Sequence, residues 1–251
     1  MPRPVTLITG ASAGLGAEFA RQCARRGEAL LLVARRRERL EALAAEVGGA
    51  EVIAADLSEA GAPRRLLEEA AARGLFVSCL INNAGFGLYG PFEAQAPERQ
   101  AEMVDLNVRT LTELTRLVLP GMVERGAGGV LNVASTAAFQ AGPNMAVYFA
   151  TKAYVLSLTE ALHQEVKGTG VKVSALCPGP TATEFGDVAG MRGKSFDMVS
   201  ADARSVVAAG LKGLDANKAV VVPGLLNKIS AQSNRIVPRA AMRRIVARLK
   251  P

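Results

Sequence analysis

Three side chains in one short stretch have the types and spacing for proton transfer at a carbonyl or alcohol oxygen. Tyr148 and Lys152 are four residues apart, so on a helix they share one face. Ser135 closes the apolar run VLNVAS, which reads as a strand ending just ahead of that helix. In an open α/β sheet, a strand end and a helix start can converge on one point. A phenol near its reference pKa of about 10 is a poor acid–base catalyst at neutral pH. A neighbouring ammonium favours the phenolate and draws that pKa down. A fixed hydroxyl such as that of Ser135 can hold a substrate oxygen beside the phenol. The Tyr-x3-Lys spacing alone arises by chance on many exposed helices, so its weight depends on what accompanies it.

What accompanies it lies at the N-terminus. VTLITG, residues 5–10, is a short β-branched run and reads as a buried strand. It leads directly into ASAGLGAEFARQCARRG, which reads as a helix ending at Gly27. Gly10, Gly14 and Gly16 give the pattern TGxxxGxG. Gly10 allows a tight turn, Gly14 a close backbone approach to a pyrophosphate, and Gly16 close packing of helix on strand. The helix N-terminus then offers free N–H groups and a positive dipole end to phosphates. An ordinary strand–turn–helix junction would also carry glycines, and the strand before and helix after are what favour the phosphate reading.

These two motifs need a scaffold, and the rest of the chain supplies one. Strand signals fall at 5–9, 29–34, 51–55, 77–82, 129–134, 172–177 and 219–222. Helical stretches lie between them at 15–26, 37–47, 63–73, 98–125, 147–167 and 201–213. Such alternation predicts one doubly wound, Rossmann-type α/β domain over 1–251, with about seven parallel strands and helices on both faces. Continuously apolar runs such as LLLVA suit strands covered on both sides. At 251 residues the chain can bury a substantial core. Its apolar runs are strand-sized, well short of the roughly 20 residues of a membrane span. The first strand begins at once, leaving no room for a signal peptide, so a cytoplasmic location is expected. Cys23, Cys79 and Cys177 lack metal-like spacing, and His163 stands without clustered partners, so no metal site is expected. A net charge of +7 comes without any zinc-finger or winged-helix signature and reads as attraction for an anionic cofactor plus a basic tail, with no nucleic acid expected.

Together these residues resemble the short-chain dehydrogenase/reductase family, in its single-domain branch near 3-oxoacyl and hydroxysteroid reductases. The matching pieces are TGASAGLG at 9–16, ADL at 55–57, NNAG at 82–85, Asn107 in LNV, Ser135, YFATK at 148–152 and PGPTAT at 178–183. The resemblance implies Ser135, Tyr148, Lys152 and Asn107 as the catalytic set, with Asn107 supporting Lys152 through a water. It implies that Ser12 and Leu15 join Gly10, Gly14 and Gly16 in the cofactor loop. Asp56 would meet the adenine amino group with Leu57 beside the ring. Asn83, Ala84 and Gly85 would line the end of the fourth strand. Pro178 and Gly179 would wall the nicotinamide, with Thr181 and Thr183 near its carboxamide or the phosphates, and Tyr148 and Lys152 would also touch the cofactor. A homodimer or homotetramer built on the helices at 98–125 and 147–167 is implied in the same way.

Cofactor choice can be read at the end of the second strand. An acidic residue there would bind the ribose hydroxyls and favour NAD(H). The chain instead has VARRRERL, whose guanidinium groups suit a 2′-phosphate. NADP(H) is therefore expected over NAD(H), with Arg35 as the leading contact, Arg36 in reserve, and Arg37 and Arg39 a solvated helix start. The loop 184–200 carries Phe185, Met191, Phe196 and Met198 and reads as an apolar lid. Phe86, Leu88, Tyr89 and residues 139–145 would face it, a lining that suits a hydrophobic substrate or simply packs the lid onto the body, while the resemblance to 3-oxoacyl and hydroxysteroid reductases implies an acyl or other lipophilic carbonyl or alcohol. Residues 236–251 read as a short basic amphipathic helix, packed on its own subunit or a mate, or touching an anionic surface. Two rival readings remain. A non-catalytic NADP-binding regulator would not need all four catalytic-type residues. A sugar-nucleotide epimerase shares Tyr-x3-Lys but usually carries a larger region after the position of Gly179.

Overall fold

Strand runs rich in Val, Ile and Leu pair side by side in one parallel sheet. The computed structural model describes residues 1–191, 201–233 and 236–248. In chain order the elements are β1 (Arg3–Thr9), α1 (Gly14–Arg25), β2 (Leu30–Ala34), α2 (Arg37–Glu46), β3 (Glu51–Ala54), α3 (Ala62–Ala72) and β4 (Leu75–Asn82). Next come α4 (Pro97–Val104), a π-helical turn (Asp105–Thr110), α5 (Leu111–Glu124), β5 (Gly128–Val133) and a 3₁₀ turn (Thr136–Phe139). Then follow α6 (Ala146–Glu165), β6 (Val171–Leu176), α7 (Phe185–Val188), α8 (Ala203–Asp215), β7 (Val220–Val221), α9 (Leu225–Ser233) and α10 (Arg239–Arg248). The strand order is β3-β2-β1-β4-β5-β6-β7. All neighbours run parallel. The chain crosses from β3 back over β1 to β4, so the crevice between the C-terminal ends of β1 and β4 is the switch point where such sheets bind ligands.

Successive strand residues face opposite layers, and the two cores follow that alternation. Ile8, Leu32, Ile81 and Leu131 pack with Phe19 of α1, Leu40 of α2 and Val207 of α8. Their sequence neighbours Leu7, Leu31, Leu80 and Val130 pack with Leu66 of α3 and Leu114 of α5. Each fully buried side chain of this size contributes roughly 1.5–3 kcal/mol through removal from water. Val155 and Leu156 fix α6 against Ala134, Ala175 and Cys177, which sets the helix that carries Tyr148 beside the end of β5.

The observed elements depart from expectation in three places. The helix expected over 98–125 contains a π turn, and Asn107 sits inside it. A further helix, α9, follows β7, with Ala231 buried and Leu225, Leu226 and Ile229 exposed. The C-terminal helix is α10, with Met242 buried, while residues 249–251 lie outside the described part. The expected lid is described only as far as α7 and Met191, and Phe196 and Met198 lie outside the described residues. Among the described residues, no helix is long and apolar enough to cross a membrane. No group of three or more His, Cys, Asp or Glu side chains is placed to hold a metal there.

Candidate active site

Ser135 lies two residues past the end of β5 in extended backbone and caps the 3₁₀ turn, its Oγ accepting the Ala137 N–H at 3.1 Å. The same hydroxyl donates to the Pro178 carbonyl at 3.4 Å and stands close enough to the Tyr148 phenol to favour its ionised form. Tyr148 and Lys152 lie one turn apart on α6, both buried. Lys152 Nζ donates to the Val133 carbonyl at 2.8 Å and stands 5.8 Å from the centre of the Tyr148 ring. Burial pushes the Tyr148 phenol up to about 12, with the nearby Ser135 hydroxyl pulling the other way. Burial also pulls Lys152 down to about 8. Sequence reasoning expected the lysine to lower the tyrosine. Here the lowering influence is Ser135, and desolvation outweighs it because both groups share one dry space.

Asn107 is 1 % exposed, and its side chain is fully committed. Nδ2 donates to the Phe86 carbonyl at 2.9 Å and to Thr151 Oγ1 at 3.1 Å, while Oδ1 accepts the Phe86 N–H at 3.1 Å. Thr151 Oγ1 in turn donates a hydrogen bond to the Tyr148 carbonyl at 2.7 Å. The asparagine thus ties the segment after β4 to α6. Its side chain does not bond Lys152, but both converge on Gly85. A Cβ at that position would lie 2.8 Å from Asn107 Oδ1 and 3.6 Å from Lys152 Nζ.

At the other end of the crevice, Gly10 has φ +66° and lies so close to the β4 end that a Cβ would fall 2.9 Å from Ala84 Cα. A Cβ on Gly16 would collide with the Gly10 carbonyl, which is the close helix–strand packing the pattern predicted. Gly14 faces Thr183, so the loop after β6 closes against the glycine loop that holds Leu15. No side chain caps α1 at Ala13, leaving first-turn N–H groups available to an anion. Thr9 Oγ1 accepts the Asn83 and Ala84 N–H groups at 3.0 and 2.9 Å, and Asn83 Nδ2 donates to the Thr9 carbonyl at 2.9 Å. Pro178 and Gly179 follow β6, and Gly179 presses against Asn227 of α9. Thr181 Oγ1 donates back to the Gly179 carbonyl at 3.0 Å.

The basic residues after β2 divide differently from expectation. Arg35 turns to Asp56 and Glu102, at 3.6 and 3.4 Å. Arg36 lies on the glycine loop, with Nε and Nη2 reaching Ser12 Oγ at 3.2 and 3.1 Å. Arg36 and Arg39 also pair with Glu184, so Arg39 is not simply solvated. Burial raises the Asp56 carboxyl, but two hydrogen bonds from Ser58 and the nearby Arg35 outweigh it, and the net shift is downward. The Leu57 side chain is 3 % exposed and packs in the core around Leu66.

An apolar wall surrounds the phenol. Phe185 of α7 lies 5.2 Å from the Tyr148 ring, and Phe149 lies 6.1 Å away. Phe86, Leu88 and Met145 join the same cluster, whereas Phe139 packs elsewhere, with α6 and β6. Tyr89 ties to the end of α7 through its N–H on the Ala189 carbonyl at 2.9 Å. Thr9, Thr151, Glu184 and Asn227 were missed by sequence reasoning. Thr9 stood directly before Gly10, and Thr151 lies between Tyr148 and Lys152 on one helix turn, so both could have been found locally; Glu184 and Asn227 meet Arg36 and Gly179 across the fold and left no local signal.

The chain matches the family model described as short chain dehydrogenase over residues 4–191. It is 32% identical over 217 residues to the very-long-chain 3-oxoacyl-CoA reductase of Anas platyrhynchos, covering 83% of this chain and 68% of that protein. It is 38% identical over 189 residues to the NADP-dependent 3-hydroxy acid dehydrogenase YdfG of Escherichia coli strain K12, covering 73% and 75% respectively. Among solved structures, a short-chain dehydrogenase from Sphingobium yanoikuyae in complex with NADPH superposes with a TM-score of 0.81 at 34% identity, over 98% of this chain and 96% of that one. With the switch-point crevice, the glycine loop and Ser135 beside the buried Tyr148 and Lys152 in place, these matches establish that the chain belongs to the short-chain dehydrogenase family.

Proposed function

We propose that the protein is an NADP(H)-dependent oxidoreductase that interconverts a carbonyl and an alcohol on a lipophilic or acyl substrate. The observation that carries this reading is the meeting of Ser135, Tyr148 and Lys152 at the end of β5, with Lys152 held on the Val133 carbonyl and Tyr148 packed against the wall formed by Phe86, Met145 and Phe185. The dinucleotide fits the residues present. Gly10 and Gly16 let the turn after β1 and the start of α1 pack closely, the α1 N-terminus is uncapped, and Arg36 places a cation beside Ser12. Arg36 therefore replaces Arg35 as the leading contact for a 2′-phosphate. Lys152 and Tyr148 would hold the nicotinamide ribose, and Pro178, Gly179, Thr181 and Thr183 would border the ring. When bound, NADP(H) supplies or accepts the hydride.

The chain's own part is alignment and proton movement. Ser135 donates to the substrate oxygen and keeps it beside the phenol. Tyr148 Oη gives that oxygen a proton during reduction and takes one from the alcohol during oxidation. Lys152, held near 8, exchanges protons close to neutral pH and can restore the tyrosine. Val104, Leu117, Val123 and Tyr154 are exposed on α4, α5 and α6, which supports a homodimer or homotetramer built on those helices. All of these elements serve one crevice, which supports a single domain over 1–251. The test is NADPH consumption on 3-oxoacyl thioesters, ketosteroids, quinones and small ketones, with Tyr148→Phe alongside. A Tyr148-dependent hit names the substrate class. Turnover that survives Tyr148→Phe overturns the mechanism.

A further inference from the structure

Arg36, which lies on the glycine loop, and Arg39 already share an anion that belongs to the chain. Glu184 splits its carboxylate between them, with Oε2 3.0 Å from Arg36 Nη1 and Oε1 2.6 Å from Arg39 Nη1. Arg36 keeps Ser12 at the same time through its remaining nitrogens. The neighbouring cations are engaged elsewhere, Arg35 with Asp56 and Glu102, and Arg37 with Glu41. Both arginines and Glu184 are about half exposed, at 44–51% of their side-chain surface. Ion pairs at such exposure are weak and exchangeable. A phosphate monoester presents more charge and three acceptor oxygens to the same fork, so it outcompetes a carboxylate there.

We propose that Glu184 is a specificity-determining competitor, a carboxylate that a 2′-phosphate must displace from Arg36 and Arg39 and that a 2′-hydroxyl leaves in place. The proposal rests on the NADP(H) reading above. Glu184 weakens binding of every 2′-phosphorylated ligand by the free energy of its own two ion pairs, and it leaves unphosphorylated adenosine ligands unaffected.

Isothermal titration of adenosine 2′,5′-bisphosphate and of 5′-AMP separates the two ideas without any turnover. Wild type should prefer the bisphosphate. Glu184→Gln should tighten the bisphosphate about fivefold, the size expected for removing two exposed pairs, with 5′-AMP unchanged. Glu41→Gln removes an equal charge from α2 without touching Arg36 or Arg39 and should match wild type. If Glu184→Gln leaves the bisphosphate unchanged while wild type still prefers it, competition is overturned and the cofactor reading stands. Equal tightening by Glu41→Gln also overturns it, in favour of a general charge effect. If wild type does not distinguish the two ligands, the cofactor reading fails and the proposal fails with it.

Discussion

The two ends of the crevice hold their polar groups under opposite physical conditions. At the β2 end, Arg35, Arg36 and Arg39 meet Asp56, Glu102 and Glu184 on the surface, where side chains keep much of their hydration. At the β5 end, Lys152, Asn107 and Tyr148 are 6 %, 1 % and 9 % exposed, and the bonds around them run mostly to backbone. Exposed ion pairs contribute about 0–1 kcal/mol and trade partners easily. Buried, hydrogen-bonded groups cannot be released without leaving an unpaired atom, and their pKa values shift instead. The first arrangement suits a site that must admit and release a charged ligand. The second suits a site where one proton must move along one line.

The sharpest break of this contrast is Tyr148→Phe. It keeps the apolar packing against Phe185 and Phe149 and removes only the hydroxyl. Turnover should fall by about 10²–10⁴-fold, the contribution of a positioned acid–base group. NADPH affinity, measured by fluorescence titration, should stay close to wild type, because the charged contacts lie at the other end. A comparable loss of binding would show that the two ends are not separable.

Lys152→Met probes the dry end through stability. The lysine sits near 8 in the fold against an ordinary 10.5. Between those values the unfolded chain keeps a proton that the folded chain has released. Stability from this residue therefore rises as pH increases from 8 to 10.5, by up to about 1.4 kcal/mol per unit. Tyr148 acts oppositely above its ordinary 10, since the folded phenol keeps its proton until about 12, so its contribution is lost as pH rises from 10 to 12. Urea midpoints at pH 7, 8, 9 and 10 should show the variant's advantage over wild type shrinking through that window. A pH-independent difference would mean the lysine is hydrated in solution.

Asn107→Ala should cost about 1–3 kcal/mol, because the Phe86 N–H and carbonyl lose their partner in a buried place. The urea midpoint reads that cost, and a variant as stable as wild type would mean that water takes the asparagine's place. This residue also shows what the sequence could and could not display. Its type and its LNV setting marked it, but the π turn around it is one extra residue per turn, and the apolar pattern of 98–125 does not register that. Tyr148, Lys152 and the three glycines were legible because their geometry is local to one helix or one turn. Arg35 and Arg36 are adjacent, so no local rule separates them. Their division depends on Ser12, Asp56, Glu102 and Glu184, which the fold gathers from four separate segments. Leu57, which the ADL match placed beside the adenine ring, packs with Leu66 of α3, a contact between segments that the motif alone does not display.

The smallest effect belongs to the wet end and separates the two arginines. Arg36→Ala should lower the preference for NADPH over NADH by about tenfold, as expected for one charge-assisted hydrogen-bond partner lost to solvent exposure. Arg35→Ala should change it less, since Asp56 and Glu102 already hold that guanidinium. Neither should move the urea midpoint appreciably, because both side chains are largely exposed. Kd ratios for the two cofactors, measured side by side, decide the matter. If Arg35→Ala has the larger effect, Arg35 must leave its acidic partners when the 2′-phosphate arrives, and the exchange of ion pairs at this end reaches further than the Arg36–Glu184–Arg39 group.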